Sequence, residues 1–194
     1  MRTRSVRVFA DLAKAFRALG VRWYVFGAQA VIAAGAPRLT EDVDVTVEPP
    51  TGGAKAVVKA LAKHGVRIRD VGDIESFVAR TRVIPAVHAA TGMPIDVVLA
   101  GPGLEMEMLE RVLKRRIGRL LVPFVANEDL VALKLLAGRA KDLDDIRTLV
   151  RGDARDIDWA VARARIEELG EALDDSEMLA TFDRIVGRKT RKKR

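Results

Sequence analysis

An apolar, β-branched run that carries two acidic residues constrains the fold more than any other feature of this chain. Asp42 and Asp44 are separated by one residue, and Val43, Val45 and Val47 alternate with them. Successive side chains of a strand point to opposite faces, so the run predicts a strand with both carboxylates on one face and the valines on the other. This spacing is typical of metal ligands, although an Asp at a strand edge can also simply cap a turn.

A third carboxylate lies in a second apolar run, between Pro94 and Ala100, where Asp96 is flanked by Ile95 and Val97. A lone carboxylate buried in a strand is costly unless it is paired or bound to a metal. Three acids on two strands therefore predict one divalent-metal site. Oxygen ligands and the scarcity of histidine favour magnesium over zinc.

Apolar periodicity and glycines outline an α+β fold with a small mixed β-sheet flanked by helices and a C-terminal helical part. We expect a catalytic core over residues 1–125, a helical part over 126–187 that shares its cleft, and a disordered basic tail over 188–194. The predicted helices are 6–19, 28–35, 54–64, 104–115, 127–138, 142–150 and two within 156–187; the predicted strands are 21–26, 42–47, 83–90, 93–100 and 120–125, with 74–80 a short helix or an edge segment.

The chain is basic, with a formal net charge of +7. The last seven residues hold six cations, and a second cluster (Lys114, Arg115, Arg116 and Arg119) falls at the end of the predicted helix 104–115, where cations favour the helix dipole. Together they indicate a polyanionic partner, although each alone can be a solvated surface. The absence of cysteine excludes disulfides, and no apolar run approaches ~18 residues, so we expect a cytoplasmic protein without membrane contact.

These motifs resemble nucleotidyltransferases of the DNA polymerase β-like superfamily, specifically its AbiEii-type toxin-related group. The resemblance covers about residues 20 to 150. It consists of a small-residue turn at Gly27 and Ala28, a following helix, Asp42 and Asp44 on the next strand, and Asp96 on a later one. A helical element with Lys134, Arg139, Asp142 and Asp145 completes it.

The resemblance implies that Asp42, Asp44 and Asp96 are the catalytic residues and metal ligands, with Asp96 as third ligand or general base. Two magnesium ions are expected, with manganese as a substitute. The expected nucleotide-binding residues are Gly27, Ala28, Arg38, Thr40, Lys134, Arg139 and Asp142. Many members have Gly-Ser or Gly-Gly at the turn, so with Ala28 the backbone amides would hold the phosphate. Without the upstream acids, Lys141, Asp142 and Asp145 would read as solvated helix-surface charges.

Three functions are compatible with these residues. The first is transfer of a nucleotide from a nucleoside triphosphate such as ATP to RNA, at a tRNA 3′ end, by a toxin that a cognate antitoxin neutralises. The second is a small-molecule, aminoglycoside-type nucleotidyltransferase, which a pI near 10.0 disfavours because aminoglycosides are cationic. The third is a degenerate nucleotidyltransferase fold that acts as a binding protein.

Overall fold

A mixed β-sheet dominates the first of two compact units into which the chain divides. The computed structural model describes residues 2–152 and 156–187, so the predicted tail at 188–194 lies outside the described residues. The first unit comprises Met1–Gln29 and Leu39–Val125, and the second comprises Ala30–Arg38 and Ala126–Arg194. The predicted division of function between a catalytic core and a helical part stays a prediction.

The sheet of the first unit has seven strands in the order β3-β4-β5-β2-β1-β7-β6. Parallel pairing joins β2 to β5 and β1 to β7, and the other neighbours are antiparallel. The mixed α+β fold is therefore confirmed, and so is the hairpin of β4 and β5. The strands are β1 (Trp23–Phe26), β2 (Val43–Val47), β3 (Val66–Ile68), β4 (Val83–His88), β5 (Pro94–Leu99), β6 (Leu113–Ile117) and β7 (Leu120–Phe124).

Helices cover the sheet of the first unit. Buried residues of α1 recur at helical spacing, with Val8, Leu12 and Phe16 fully inaccessible to solvent. Phe9 of the same helix meets Phe124 of β7 edge to face, with ring centroids 6.0 Å apart. These helices are α1 (Arg2–Leu19), α3 (Gly53–Lys63), α4 (Ile74–Thr81) and α5 (Leu104–Glu110), and α2 (Gly27–Ala33) directly follows β1.

The helix predicted over 104–115 is wrong in its second half. Helix α5 ends at Glu110, and Leu113–Ile117 forms the edge strand β6, which pairs with β7 from Leu113 opposite Phe124 to Ile117 opposite Leu120. Leu113 and Ile117 fit a four-residue helical repeat, but together with Arg115 they also alternate with exposed Lys114 and Arg116. The cations of this cluster therefore lie on a strand and its turn, and the helix-dipole explanation does not apply to them.

In the described residues from 126 onward, the second unit has four helices, in agreement with the predicted number there; the unit also includes Ala30–Arg38, which begins within α2. Asp158 and Asp175 cap the third and fourth of them by accepting hydrogen bonds from first-turn amides. Their interior includes Ile146, Ile166 and Phe182, which are fully buried. The helices are α6 (Asn127–Ala137), α7 (Ala140–Arg151), α8 (Trp159–Leu173) and α9 (Ser176–Val186). None of the described helices is long and apolar enough to cross a membrane.

Candidate functional site

Asp44 and Asp96 stand side by side on two parallel strands of the first unit. The register of β2 and β5 places Asp44 directly opposite Asp96, and both residues are half-buried. Asp42 directly precedes β2, two positions before Asp44, as the alternating pattern predicts. We call Asp42, Asp44 and Asp96 the carboxylate site.

Gly27 brings the main chain against the carboxylate of Asp44. Phe26, the last residue of β1, pairs with Asp44 of β2. Gly27 follows with a φ of 63° and turns the chain into α2. A Cβ at Gly27 would lie 2.0 Å from Asp44 Oδ2, which no side chain can tolerate. Two demands therefore select glycine here: a left-handed backbone conformation and the close approach of the Asp44 carboxylate. Ala28 follows as a buried residue of α2.

Protein groups orient two of the three acids. The Thr40 hydroxyl donates a hydrogen bond to the Asp42 carboxylate, and the Gln29 amide donates to the Asp42 carbonyl at 3.3 Å. The Arg69 guanidinium donates to Asp96 in an ion pair whose two side chains are 46% and 45% exposed. In the structure the Thr40 hydroxyl positions Asp42, and the predicted contact of Thr40 with the triphosphate stays a prediction.

Sequence reasoning missed Gln29 and Arg69. Gln29 had a visible signal, because it is a polar residue within the otherwise apolar helix α2. Arg69 had none, since its contact with Asp96 depends on the pairing of β3 with β4 and of β4 with β5.

Oxygen ligands at the carboxylate site suit magnesium chemically, because hard divalent cations prefer carboxylates. Within residues 2–152 and 156–187, however, no three acidic or histidine side chains form a ready-made ligand group. Asp42 and Asp96 are instead hydrogen-bonded to Thr40 and Arg69. Three carboxylates on or directly before two neighbouring strands supply the hard oxygen donors that the ion prefers, so the donor set fits the ion by its chemistry.

The second unit gathers the other predicted site residues into one ion-pair network. Lys134 Nζ lies 2.7 Å from Asp142 Oδ1 and 2.8 Å from Asp145 Oδ2. Arg38 pairs with Asp145, and Arg139 pairs with Asp142. The side chains of Asp142 and Lys134 are almost completely buried, which rules out solvated helix-surface charges for both.

A break between α6 and α7 makes this network possible. Helix α6 ends at Gly138, which has a φ of 61° and serves as the left-handed C-cap, and α7 begins at Ala140. Had the helix continued, Asp142 would lie about two turns beyond Lys134, too far for a direct contact. The turn instead folds Asp142 back onto Lys134, eight positions earlier in the chain.

The network holds Asp142 in its charged form. Burial alone would raise the pKa of Asp142, but hydrogen bonds and charge interactions with Arg139 and Lys134 outweigh it, so the pKa lies below its ordinary value. The network thus contains three cations and two carboxylates. Lys134 is buried against carboxylates, whereas the Arg139 side chain is 62% exposed. Triphosphate binding by Arg38, Lys134 and Arg139 stays a prediction.

Comparison with known proteins places these features in a family. A family model described as the nucleotidyl transferase AbiEii toxin of a type IV toxin–antitoxin system matches residues 15–193. The search of curated protein sequences returned no match.

Solved structures share the fold at low sequence identity. The antibiotic-resistance factor ANT(2″)-Ia, determined in solution, aligns with a TM-score of 0.59 and 15% identity over 91% of this chain and 98% of its own. A crystal structure of ANT(2″)-Ia in complex with adenylyl-2″-tobramycin aligns with a TM-score of 0.52 and 14% identity, over 93% of this chain and 97% of its own. An antigenic nucleotidyltransferase-like protein from Paracoccidioides brasiliensis aligns with a TM-score of 0.51 and 15% identity, over 90% of this chain and 91% of its own.

The family match spans nearly the whole chain, and the solved structures independently support the nucleotidyltransferase fold. The chain belongs to the AbiEii family of nucleotidyl transferase toxins.

Proposed function

We propose that this protein transfers a nucleotide from a nucleoside triphosphate to an RNA acceptor, at the 3′ end of a tRNA, and that a cognate antitoxin neutralises it. The observation that carries the chemistry is the carboxylate site: Asp44 and Asp96 in register on parallel strands, with Gly27 against Asp44. The family match supports nucleotidyl transfer and a toxin–antitoxin role.

Asp42, Asp44 and Asp96 would hold one or two magnesium ions, which manganese can replace. Bound there, the metal would neutralise triphosphate charge and stabilise the attacking and leaving oxygens. The chain's own residues prepare the site. Thr40 and Gln29 fix the position of Asp42, and the absence of a side chain at Gly27 leaves room for the Asp44 carboxylate itself.

Asp96 is proposed as third ligand or as the general base that accepts the proton of the attacking hydroxyl. Its present partner does not prevent either role, because an ion pair between two side chains that are nearly half exposed contributes at most about 1 kcal/mol. Asp96 can therefore exchange Arg69 for another partner at little cost. Rotation of Arg69 away from Asp96 would leave the carboxylate able to accept a proton.

The choice of RNA as acceptor rests on charge. A net charge of +7 attracts a polyanion and repels a polycation. Aminoglycosides are the second candidate acceptors, favoured by the shared fold of ANT(2″)-Ia, whose crystal structure contains adenylyl-2″-tobramycin. Identity of 14% gives no residue-level support for that acceptor. A degenerate binding protein is the third candidate, and retention of all three acids argues against it.

One experiment separates the three functions. The full chain is incubated with magnesium and each labelled nucleoside triphosphate, with total RNA or tobramycin as acceptor. Label should enter RNA, should concentrate in tRNA, and should be lost when a chelator removes the metal. Label on tobramycin alone would establish the second function. Absence of transfer to either acceptor, in a preparation that still binds RNA or a partner protein, would favour the third.

A further inference from the structure

A groove between α7 and α9, within the second unit, is lined by an unusual concentration of arginines. Its volume is about 260 Å³, and its walls include Arg147 and Arg151 of α7 together with Thr181 and Arg184 of α9. Apolar side chains, Leu143 and Ile185 among them, complete the lining. All three guanidinium groups belong to residues exposed to solvent.

The positive charge of this groove is only partly compensated. Arg147 pairs with Asp144 at 2.6 Å, but Arg151 and Arg184 form no ion pair within the part of the chain that the structure describes. The acid nearest to Arg184 in sequence, Asp183, is bound by Arg163 of α8 through two contacts of 3.1 Å. Asp144 and Asp183 are therefore already paired, with Arg147 and Arg163, and neither neutralises Arg151 or Arg184.

Arginines gathered on one concave surface repel one another unless an anion lies between them. Arg147 and Arg151 are four residues apart on α7, a spacing at which like charges destabilise a helix. The planar fork of a guanidinium matches the oxygens of a phosphate, and the Thr181 hydroxyl adds a neutral donor. Apolar walls can support the aliphatic stems of the arginines while their charged ends stay exposed. The chemistry of the groove thus suits a phosphate group.

The sequence after α9 argues for a long polyanion rather than a small ion. Helix α9 ends at Val186, and six of the next eight residues are cationic. Arg184 is therefore followed closely in the sequence by six more cations. Binding a single phosphate would not require so many positive charges. We infer that the α7–α9 groove binds backbone phosphates of the RNA acceptor, an inference that rests on the proposed function for the identity of the acceptor.

The test compares the full-length variant R151Q/R184Q with the matched control K59Q/K63Q. Lys59 and Lys63 are exposed cations four residues apart on α3, so the control removes the same charge from a helix surface outside the groove. RNA affinity is measured by fluorescence anisotropy over a series of salt concentrations, and nucleoside triphosphate affinity by calorimetry. Thermal melting checks that both variants fold.

If the groove holds two RNA phosphates, R151Q/R184Q weakens RNA binding roughly 25- to 60-fold at about 0.1 M salt and flattens the slope of log affinity against log salt by about 1.4 to 1.8. Triphosphate affinity stays unchanged, and K59Q/K63Q behaves as wild type. An unchanged slope in the groove variant overturns the inference. An equal weakening in the control also overturns it, because net charge alone would then explain the binding.

Two further outcomes distinguish this inference from binding of a small phosphate ligand and from the proposed function. If R151Q/R184Q weakens binding of tripolyphosphate or nucleoside triphosphate but not of RNA, the groove takes a small phosphate ligand and the inference fails. If the wild type binds RNA through the groove but transfers no nucleotide to it, the proposed function fails while the phosphate site stands.

Discussion

The absence of a side chain at Gly27 allows both a left-handed backbone conformation and the close approach of the Asp44 carboxylate. The Gly27 φ of 63° costs any other residue about 1 to 2 kcal/mol, and the Asp44 carboxylate occupies the place of a Cβ. We therefore predict that Gly27→Ala lowers the free energy of unfolding by more than the backbone term alone and displaces Asp44, so that nucleotide transfer is lost. Chemical denaturation and a transfer assay measure the two effects.

Gly20 provides the control for Gly27→Ala. It has a similar φ of 69°, and nothing lies within 4 Å of the position that its Cβ would occupy. Gly20→Ala should show only the backbone cost of about 1 to 2 kcal/mol and keep its activity. Equal decreases in stability in the two variants, with activity kept in both, would mean that the close approach of the Asp44 carboxylate to Gly27 has no catalytic importance.

Removal of one carboxylate tests the metal assignment. Asp44→Ala and Asp42→Ala should lower the rate of transfer by more than about 100-fold, because metal-bound catalysis depends on each ligand, and should leave the fold intact, because fewer like charges then meet at the site. Asp96→Asn should lose most of the activity but keep nucleotide binding. The control is Glu41→Gln, which neutralises an exposed acid next to Asp42. Near wild-type activity of Asp42→Ala or Asp44→Ala would remove both from the metal site.

Some residues of the carboxylate site could be predicted from the sequence, and others could not. Asp42, Asp44 and Asp96 were visible because charged residues interrupt apolar strands, and the structure confirms that β2 and β5 bring Asp44 and Asp96 together. Arg69 was not visible, because nothing in the sequence near it shows that strand pairing brings it to Asp96. The sequence identifies a polar residue in an apolar run, but not its partner across a sheet.

Between α6 and α7, the turn at Gly138 creates a buried network whose members depend on one another. Removing one partner of a buried ion pair leaves an uncompensated charge and typically costs about 3 to 5 kcal/mol. Because Lys134 pairs with both Asp142 and Asp145, Lys134→Ala should destabilise the protein by at least about 3 kcal/mol. Urea denaturation measures this. Lys141→Ala, on the exposed surface of α7, is the control and should change stability by less than about 0.5 kcal/mol.

Lys134 is also a predicted phosphate ligand, and binding can be separated from stability. A nucleotide titration of the folded Lys134→Ala variant should show affinity weakened by roughly 1 to 3 kcal/mol if Lys134 contacts phosphate as well as the two carboxylates. Reduced stability with unchanged nucleotide affinity would assign Lys134 to the network alone.

Acid should weaken the same network. The pKa of Asp142 is lower in the folded protein than its ordinary value of 3.8, so the unfolded chain takes up the proton first. The stabilisation by Asp142 is thus complete above pH about 4 to 5 and is lost as the pH falls below 3.8 through the folded pKa. We predict that Asp142→Asn is less stable than wild type at pH 7 and that the difference shrinks below pH about 4. A difference independent of pH would contradict this.

Elements were predictable where periodicity was long and closed by a glycine. The helices α1 and α3 and the hairpin of β4 and β5 are of this kind. The segment 113–117 was not, because its apolar residues satisfy both a helical and a strand repeat. Pairing with β7 decides between them, and that is a tertiary contact. Strand β3 has only three residues, too few to show a period.

On the scale of the whole molecule, excess positive charge is the feature that fold alone does not explain. The nucleotidyltransferase fold is shared with ANT(2″)-Ia at 15% identity, so the architecture does not select an acceptor. Long-range charge acts on association and on non-specific affinity rather than on fold. The net charge of +7 includes six cations in the last seven residues. Removal of the tail is therefore the most direct way to reduce the positive charge that would attract an RNA partner.

Deletion of residues 188–194 should therefore weaken RNA binding without changing nucleotide binding or stability. Each RNA phosphate that the shortened chain no longer neutralises should flatten the slope of log affinity against log salt by about 0.7 to 0.9, so six cations can account for up to about 4 to 5 units. The control replaces the tail by seven neutral Gly and Ser residues, which keeps its length and removes its charge; it should match the deletion. If the truncated chain retains the affinity and salt slope of the full chain, the tail has no part in binding RNA. If the neutral tail restores both, length rather than charge is responsible.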